Sequence, residues 1–225
     1  MSDYNKPIIV ISKCLGFDNC KHDGSIENNE FIEKLKKYVK VIPICPEIEC
    51  GLQIHHSKLR IVENNNKEEL LIPNEDLNLT QEMHDFSNKF LNKLTNVDGF
   101  ILKSKSPICA LKDAKVYDTL EKGCAIKREH GFFTKEIIKQ YPYIPIEDEH
   151  RLNNFKIREH FLSRIFILSD FRLIKKSFNF ESLKSFHLKN TLLFLSYSQK
   201  YSKLLDNLIY SDKIEDINIL FKEYE

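Results

Sequence analysis

The fold is decided near the start of the chain, by the stretch Ile8-Ile-Val-Ile-Ser-Lys-Cys14. An apolar run of this length that is rich in β-branched residues is typical of a buried strand. Two later apolar runs share its most informative feature, a cysteine that follows the run. The sequence VIPI at 41–44 precedes Cys45, and GFILK at 99–103 comes before Cys109.

Helical spacing between these runs predicts that the three strands are parallel. Apolar residues recur in steps of four at Phe31, Leu35 and Val39, and a second helix is expected from Thr80, its N-cap, to about Asn96. Ligands bind at the carboxyl ends of strands in such sheets. We therefore expect the three thiols to gather at one sheet edge. Three thiolates rather than four would leave one coordination position of a bound metal centre open.

The chain changes character after an acidic, proline-containing segment at 141–150. Before it, residues 51–79 are expected to be irregular with room for a hairpin. After it, the apolar spacing is helical throughout. The predicted fold is α/β, a small Rossmann-like parallel sheet with flanking helices, followed by an all-α C-terminal domain. The predicted domains are 1–148 and 149–225.

Composition favours a soluble cytoplasmic protein. There is no apolar leader, and no apolar run approaches the roughly 18 residues of a membrane span. In a reducing compartment, the six cysteines indicate metal binding or catalysis more often than disulfides. Cys20 is interpreted as a small buried apolar residue, Cys50 as a turn residue or fourth ligand, and Cys124 as structural.

The second part of the chain is basic. Residues 151–211 carry 11 Lys and Arg against 4 Asp and Glu. This excess favours a polyanionic partner such as nucleic acid, although a solvated helix face gives the same count. Both interpretations stay open for the candidate phosphate contacts, which are Lys175, Lys176, Lys184 and Lys203.

Two polar residues near the cysteines are candidates for chemistry. Glu47 follows Cys45 by two residues, so it can face the same side and act as a general acid or base, or it is an ordinary surface glutamate. Ser106 lies in the loop that leads to Cys109. That loop has few helix formers and exposes N–H groups and a hydroxyl, which suits an anionic or sulfur-bearing guest.

Three motifs, taken in order, resemble the thiouracil desulfidase (TudS) family. They are Cys14-Leu-Gly with Asp23-Gly24, Cys45-Pro-Glu47, and Leu102-Lys-Ser-Lys-Ser-Pro-Ile-Cys109. Later segments resemble the start of the helical domain that is fused to it in the 4-thiouridine desulfidases (RudS). Those segments are Pro145-Ile-Glu147, Arg151-Leu152, Phe186-His187 and Tyr197-Ser-Gln199.

The resemblance implies a function. It implies a 4Fe-4S cluster held by Cys14, Cys45 and Cys109, whose fourth iron is open to sulfur from a thiolated pyrimidine, and it puts Glu47 and Ser106 on catalytic positions. The expected enzyme is a non-redox desulfidase that converts 4-thiouracil, 4-thiouridine or 4-thiouridine in tRNA to uracil or uridine and hydrosulfide. Glu47 would deprotonate the attacking water and return the proton to the ring nitrogen, while Ser106 orients the base.

The chain departs from the family pattern around these motifs. Ile108 and Ala110 replace Ser and Gly beside Cys109, Lys21-His22 replaces Arg-Tyr, and His55-His56 replaces a Pro-Arg pair. The ligands and the acid/base candidate are intact, whereas the pocket lining is altered. Two alternatives remain: a non-catalytic zinc-binding interaction module, and a redox sensor that uses Cys45 and Cys50.

Overall fold

The computed structural model describes residues 5–210 and 217–224, except 74, 76 and 122. The strands in this part of the chain are β1 (Ile8–Ser12), β2 (Lys40–Ile44), β3 (Arg60–Asn64), β4 (Lys67–Ile72), β5 (Leu77–Asn78), β6 (Gly99–Leu102), β7 (Ala114–Tyr117), β8 (Lys127–Glu129) and β9 (Ile146–Asp148). The helices are α1 (Glu30–Leu35), α2 (Pro46–Glu49), α3 (Thr80–Lys93), α4 (Phe132–Gln140), α5 (Phe155–Ser177), α6 (Phe180–Tyr197), α7 (Gln199–Tyr210) and α8 (Ile217–Tyr224).

The first sheet contains the three runs that precede the cysteines. Its order is β2-β1-β6-β9, and every pairing in it is parallel. Val10 in the central strand β1 is in register with Ile42 on one side and Phe100 on the other. Ile9, Val10 and Ile11 have no exposed surface, as expected for a strand covered on both faces. The predicted parallel sheet is therefore confirmed.

The two predicted helices exist but differ at their ends. The side chain of Asn29 caps α1 by accepting a hydrogen bond from the Ile32 N–H, and the helix ends at Leu35 because the chain turns towards β2 at Lys40. Val39 is buried outside the helix. Thr80 is not the N-cap of α3, because its hydroxyl accepts the Leu70 N–H at 2.8 Å and the helix is already formed there.

A second, mixed sheet has the order β5-β4-β3-β7-β8, and three of its strands, β3, β4 and β5, lie in the region expected to be irregular. Its β3–β4 hairpin turns at Asn65 and Asn66, which both have positive φ, a conformation that asparagine tolerates well. Ile61, Leu70 and Ile72 of this hairpin are fully buried in a core shared with strands of the first sheet. The predicted hairpin is confirmed, and the sheet around it is an addition.

The helices after β9 complete the predicted order of an α/β part followed by helices. Among the described residues, those of Lys6–Phe166 form one compact unit and those from Ile167 onward form another, so α5 contributes to both. The second unit has its own core, which includes Phe171, Leu183 and Phe221. The domain boundary at 148/149 stays a prediction. None of the described helices combines the length and apolar character that a membrane crossing requires.

Candidate active site

Three strand ends bring Cys14, Cys45 and Cys109 to one cavity of about 450 Å³. Cys14 lies in the turn after β1, Cys45 directly follows β2, and Cys109 lies in the loop after β6. Each is at most 9% exposed. The sequence analysis expected this convergence from the alternation of strands and helices. We call this space the thiol cavity.

The turn after each strand determines where its cysteine lies. Gly16 has φ +85° in the turn after Cys14, and a Cβ there would lie 2.7 Å from the Glu33 carboxylate. Cys45 takes an extended conformation before Pro46, which begins α2, as is typical of a residue that precedes proline. Glu47 follows in the first turn of α2 and lines the cavity.

Ser106 shapes the turn that presents Cys109. Its hydroxyl oxygen accepts the backbone N–H groups of Ile108 at 3.2 Å and Cys109 at 3.1 Å. Burial raises the pKa of the Cys109 thiol, and hydrogen bonds from the Ser12 and Ser106 hydroxyls partly oppose this. Ser106 therefore contacts the third thiol and lines the cavity, as a candidate for substrate contact should.

Glu149, which sequence reasoning missed, anchors the start of the Cys109 loop. It follows β9 and accepts the Ser104 N–H at 2.9 Å, the Ser104 hydroxyl at 2.7 Å and the Lys103 ammonium. Although burial opposes ionisation, these hydrogen bonds keep the pKa of Glu149 below its ordinary value. Glu27, Glu149 and His150 come close enough to bind a cation, but the Lys103 ammonium contacts both carboxylates and meets this need.

Cys20 is a fourth thiol in the cavity. It is 3% exposed, and its thiol contacts those of Cys14 and Cys45. The hydrogen bond with Cys14, together with burial, raises the pKa of Cys20 to about 12. Cys50 instead points towards α3, 3.9 Å from the Met83 sulfur, and Cys124 is exposed. No signal in the sequence separated Cys20 from a core cysteine.

In the described part of the chain, no three thiols lie as close together as the ligands of a single bound ion would. Three thiolates on one zinc ion would lie about 4 Å from one another. Among the described residues, the group Glu27–Glu149–His150 alone places three ligand atoms within 4.8 Å of one another, so no three thiols do. Thiolates also suit iron–sulfur clusters, which are larger than a single ion. The donor set therefore fits a cluster, and these buried thiols must lose protons when it binds.

Glu47 is paired with His56, which the sequence analysis placed among the changes to the pocket lining without assigning it a role. Glu47 Oε2 lies 3.1 Å from His56 Nε2, and the two side chains are 18% and 7% exposed. The hydrogen bond that His56 makes to the Glu47 carboxylate raises the pKa of His56. Burial lowers the pKa of His22, whose ring centre lies 6.2 Å from that of His56. Both histidines line the thiol cavity.

The remaining lining is strongly basic. Seven cationic side chains border the thiol cavity, namely Lys13, Lys21, Lys58, Arg60, Lys103, Lys105 and Lys115. The Arg60 guanidinium stacks over the Tyr117 ring, 4.3 Å from its centre, so the second sheet contributes to this wall. The four lysines predicted to contact phosphates lie on α5, α6 and α7 and do not line the cavity.

Comparisons with known proteins agree with this geometry. A family model described as 2-thiouracil desulfurase matches residues 9–149. No curated protein matches the chain. A solved structure described as the 4Fe-4S-dependent thiouracil desulfidase TudS aligns with a TM-score of 0.54 and 18% sequence identity, covering 69% of this chain and 99% of that chain, which shows a shared fold. Because the family model spans more than half of the sequence, the chain belongs to the 2-thiouracil desulfurase family.

Proposed function

We propose that this protein is a non-redox desulfidase that removes sulfur from a thiolated pyrimidine. One observation carries the proposal: three buried thiols from three neighbouring strand ends share a cavity with Glu47. Cys14, Cys45 and Cys109 would hold a 4Fe-4S cluster. Their number leaves one iron without a protein thiolate, and family membership and the shared fold support the same chemistry.

A bound cluster would supply a soft Lewis acid. Coordination of the thiocarbonyl sulfur would withdraw electron density from the ring carbon. The overall change is a hydrolysis. The thiolate form of the base plus water gives uracil plus hydrosulfide, with equal atoms and charge on both sides. The electron pair of the carbon–sulfur bond leaves with sulfur, so no external oxidant or reductant is needed.

Glu47 performs the proton transfers. Its carboxylate takes a proton from the water whose oxygen bonds to the ring carbon, and returns that proton to the ring nitrogen. As the carbonyl forms, the remaining hydroxyl proton leaves with sulfur as hydrosulfide. Ser106 accepts two backbone N–H groups, and its own O–H, which contacts the Cys109 thiol here, would turn to orient the base when that sulfur is bound to iron.

The basic lining supports an anionic substrate. A thiolate-form base carries negative charge, which the basic lining would stabilise, although Lys103 and Lys13 are already paired with carboxylates. Free base, nucleoside and nucleotide within tRNA remain the three candidate forms. For tRNA, the base must leave its stack to enter the cavity, and the helical unit would hold phosphates through Lys175, Lys176, Lys184 and Lys203. The free thiols fit the reducing cytoplasm.

Anaerobic reconstitution with iron and sulfide tests the proposal. The loaded wild-type protein should be brown and should release hydrosulfide from at least one substrate among thiouracil, 4-thiouridine and 4-thiouridine tRNA. Cys109→Ser should lose most of the colour and all of the release. Cys124→Ser is the matched control, because Cys124 is exposed and remote from the lining, and it should retain both. A colourless wild-type protein that binds one zinc ion would contradict the proposal.

A further inference from the structure

The hydrogen bonds of His56 fix where its protons are. Nδ1 lies 2.7 Å from the backbone carbonyl oxygen of Ser57, which can only accept. Nδ1 therefore carries a proton. Nε2 lies 3.1 Å from Oε2 of Glu47, and this contact also needs one proton, because two bare lone pairs would repel. The contact is an imidazolium with a carboxylate, or an imidazole with a carboxylic acid.

The two oxygens of Glu47 consequently have different roles. Oε2 is engaged by His56. Oε1 has no hydrogen-bond partner in the described part of the chain and keeps some exposed surface, and Glu47 lines the thiol cavity. A carboxylate held at one oxygen loses rotational freedom, and its other oxygen is presented in one direction.

We propose that His56 is a positioning residue that holds Oε2 of Glu47 and leaves Oε1 to exchange the proton with water and the ring nitrogen. The inference rests on the proposed function, since it assigns a supporting role in that reaction. It also explains one departure from the family pattern, because His56 stands where a Pro-Arg pair ends and supplies an N–H donor of its own. His56 touches Glu47 and is not itself required to touch substrate.

A second histidine–carboxylate pair in the same compact unit provides the control. His84 Nδ1 lies 3.0 Å from Glu136 Oε1, between α3 and α4, and neither residue lines the thiol cavity. His84→Leu removes a contact of the same kind at a distance from the chemistry. It should leave the release of hydrosulfide within about twofold of the wild-type rate.

The experiment compares His56→Leu, His56→Gln and His84→Leu in reconstituted protein with the substrate that the wild type uses. His56→Leu should lower kcat about 10- to 100-fold, the usual effect of losing a group that orients a ligand, while KM changes less than about twofold. Visible absorption should be unchanged, which shows that the cluster loads normally. His56→Gln should recover most of kcat, because its amide N–H can reach Oε2.

Two results would overturn the inference while leaving the proposed function intact. One is a wild-type kcat in His56→Leu. The other is a His56→Gln variant that is as slow as His56→Leu, since this would mean that shape rather than the N–H donor matters. If the wild-type protein loads a cluster and releases no hydrosulfide from any thiolated pyrimidine, the proposed function fails and the role of His56 in it fails too.

Discussion

Two histidine–carboxylate pairs, one in each compact unit, have similar geometry and different consequences. His56 faces Glu47 through Nε2 at 3.1 Å, and His187 faces Asp206 through Nε2 at 2.8 Å. The difference lies at the other ring nitrogen. In His56 it meets a backbone carbonyl, whereas in His187 it meets the Tyr224 hydroxyl at 3.0 Å.

A hydroxyl both donates and accepts, and a carbonyl only accepts. At His187, Nε2 can therefore donate to Asp206 while Nδ1 accepts from the Tyr224 hydroxyl, so one ring proton serves both contacts, which connect α6, α7 and α8. The carbonyl at His56 forces an additional proton into its contact with Glu47. The two histidines therefore differ in the group that their second ring nitrogen contacts. From this difference we expect His187 to stabilise the fold and His56 to orient Glu47.

The largest effect should separate the two carboxylates. Glu47→Gln should lower hydrosulfide release at least about 100-fold, because it removes the general base, while visible absorption of the cluster is kept. Asp206→Asn should leave turnover of free thiouracil within about twofold. Steady-state assays of both reconstituted variants check this. Equal losses of hydrosulfide release in the two variants would show that Glu47 and Asp206 do not differ in role.

The opposite contrast is expected in stability. Tyr224→Phe removes the donor to the fully buried His187 and should lower the free energy of unfolding by about 1–3 kcal/mol. Tyr210→Phe is the matched control, because that ring is close to His187 but 54% exposed, and it should change stability by less than about 0.5 kcal/mol. Urea unfolding of the full chain measures both. Similar values for the two variants would show that the Tyr224 hydrogen bond contributes nothing.

The smallest effect is a pH dependence at His56. The hydrogen bond with Glu47 raises the pKa of His56 above 6.5, so the protonated imidazole stabilises the folded state. That contribution is complete below the unfolded pKa and is lost as pH rises through the folded value. The stability difference between metal-free wild type and His56→Gln should thus shrink by at most about 1 kcal/mol between pH 6 and pH 9. A difference that grows with pH would contradict the assignment.

Much of the fold follows from local sequence patterns. The run before Cys14 is apolar and β-branched enough to specify a buried strand, and helical spacing between the runs implies the parallel order. The second sheet was not predicted, because β3 and β4 mix charged and apolar residues and β3 pairs on its other side with β7, which is distant in sequence. Helix ends were off by a few residues because tertiary contacts, such as that of the Thr80 hydroxyl with Leu70, decide them.

The site residues that could be predicted from the sequence are those that closely follow the end of a strand. Cys45 and Glu47 lie two residues apart, so their common cavity could be inferred from spacing. His56 was expected near the pocket, but its contact with Glu47 could not be predicted, and Glu149 reaches the site from a segment that no local pattern connects to it. Cys20 could not be distinguished from a core residue, because a buried thiol has the same sequence context in both cases.

We propose that Cys14, Cys45 and Cys109 bind one 4Fe-4S cluster and leave one of its irons without a protein ligand. Anaerobic crystallography of the reconstituted protein, with anomalous data at the iron edge, tests it most directly. We expect four iron positions in the thiol cavity. The three sulfurs should each bind an iron, Cys20 should bind none, and the fourth iron should lie on the side of Glu47. A cluster ligated by Cys20 as a fourth thiolate, or a single metal ion in its place, would contradict it.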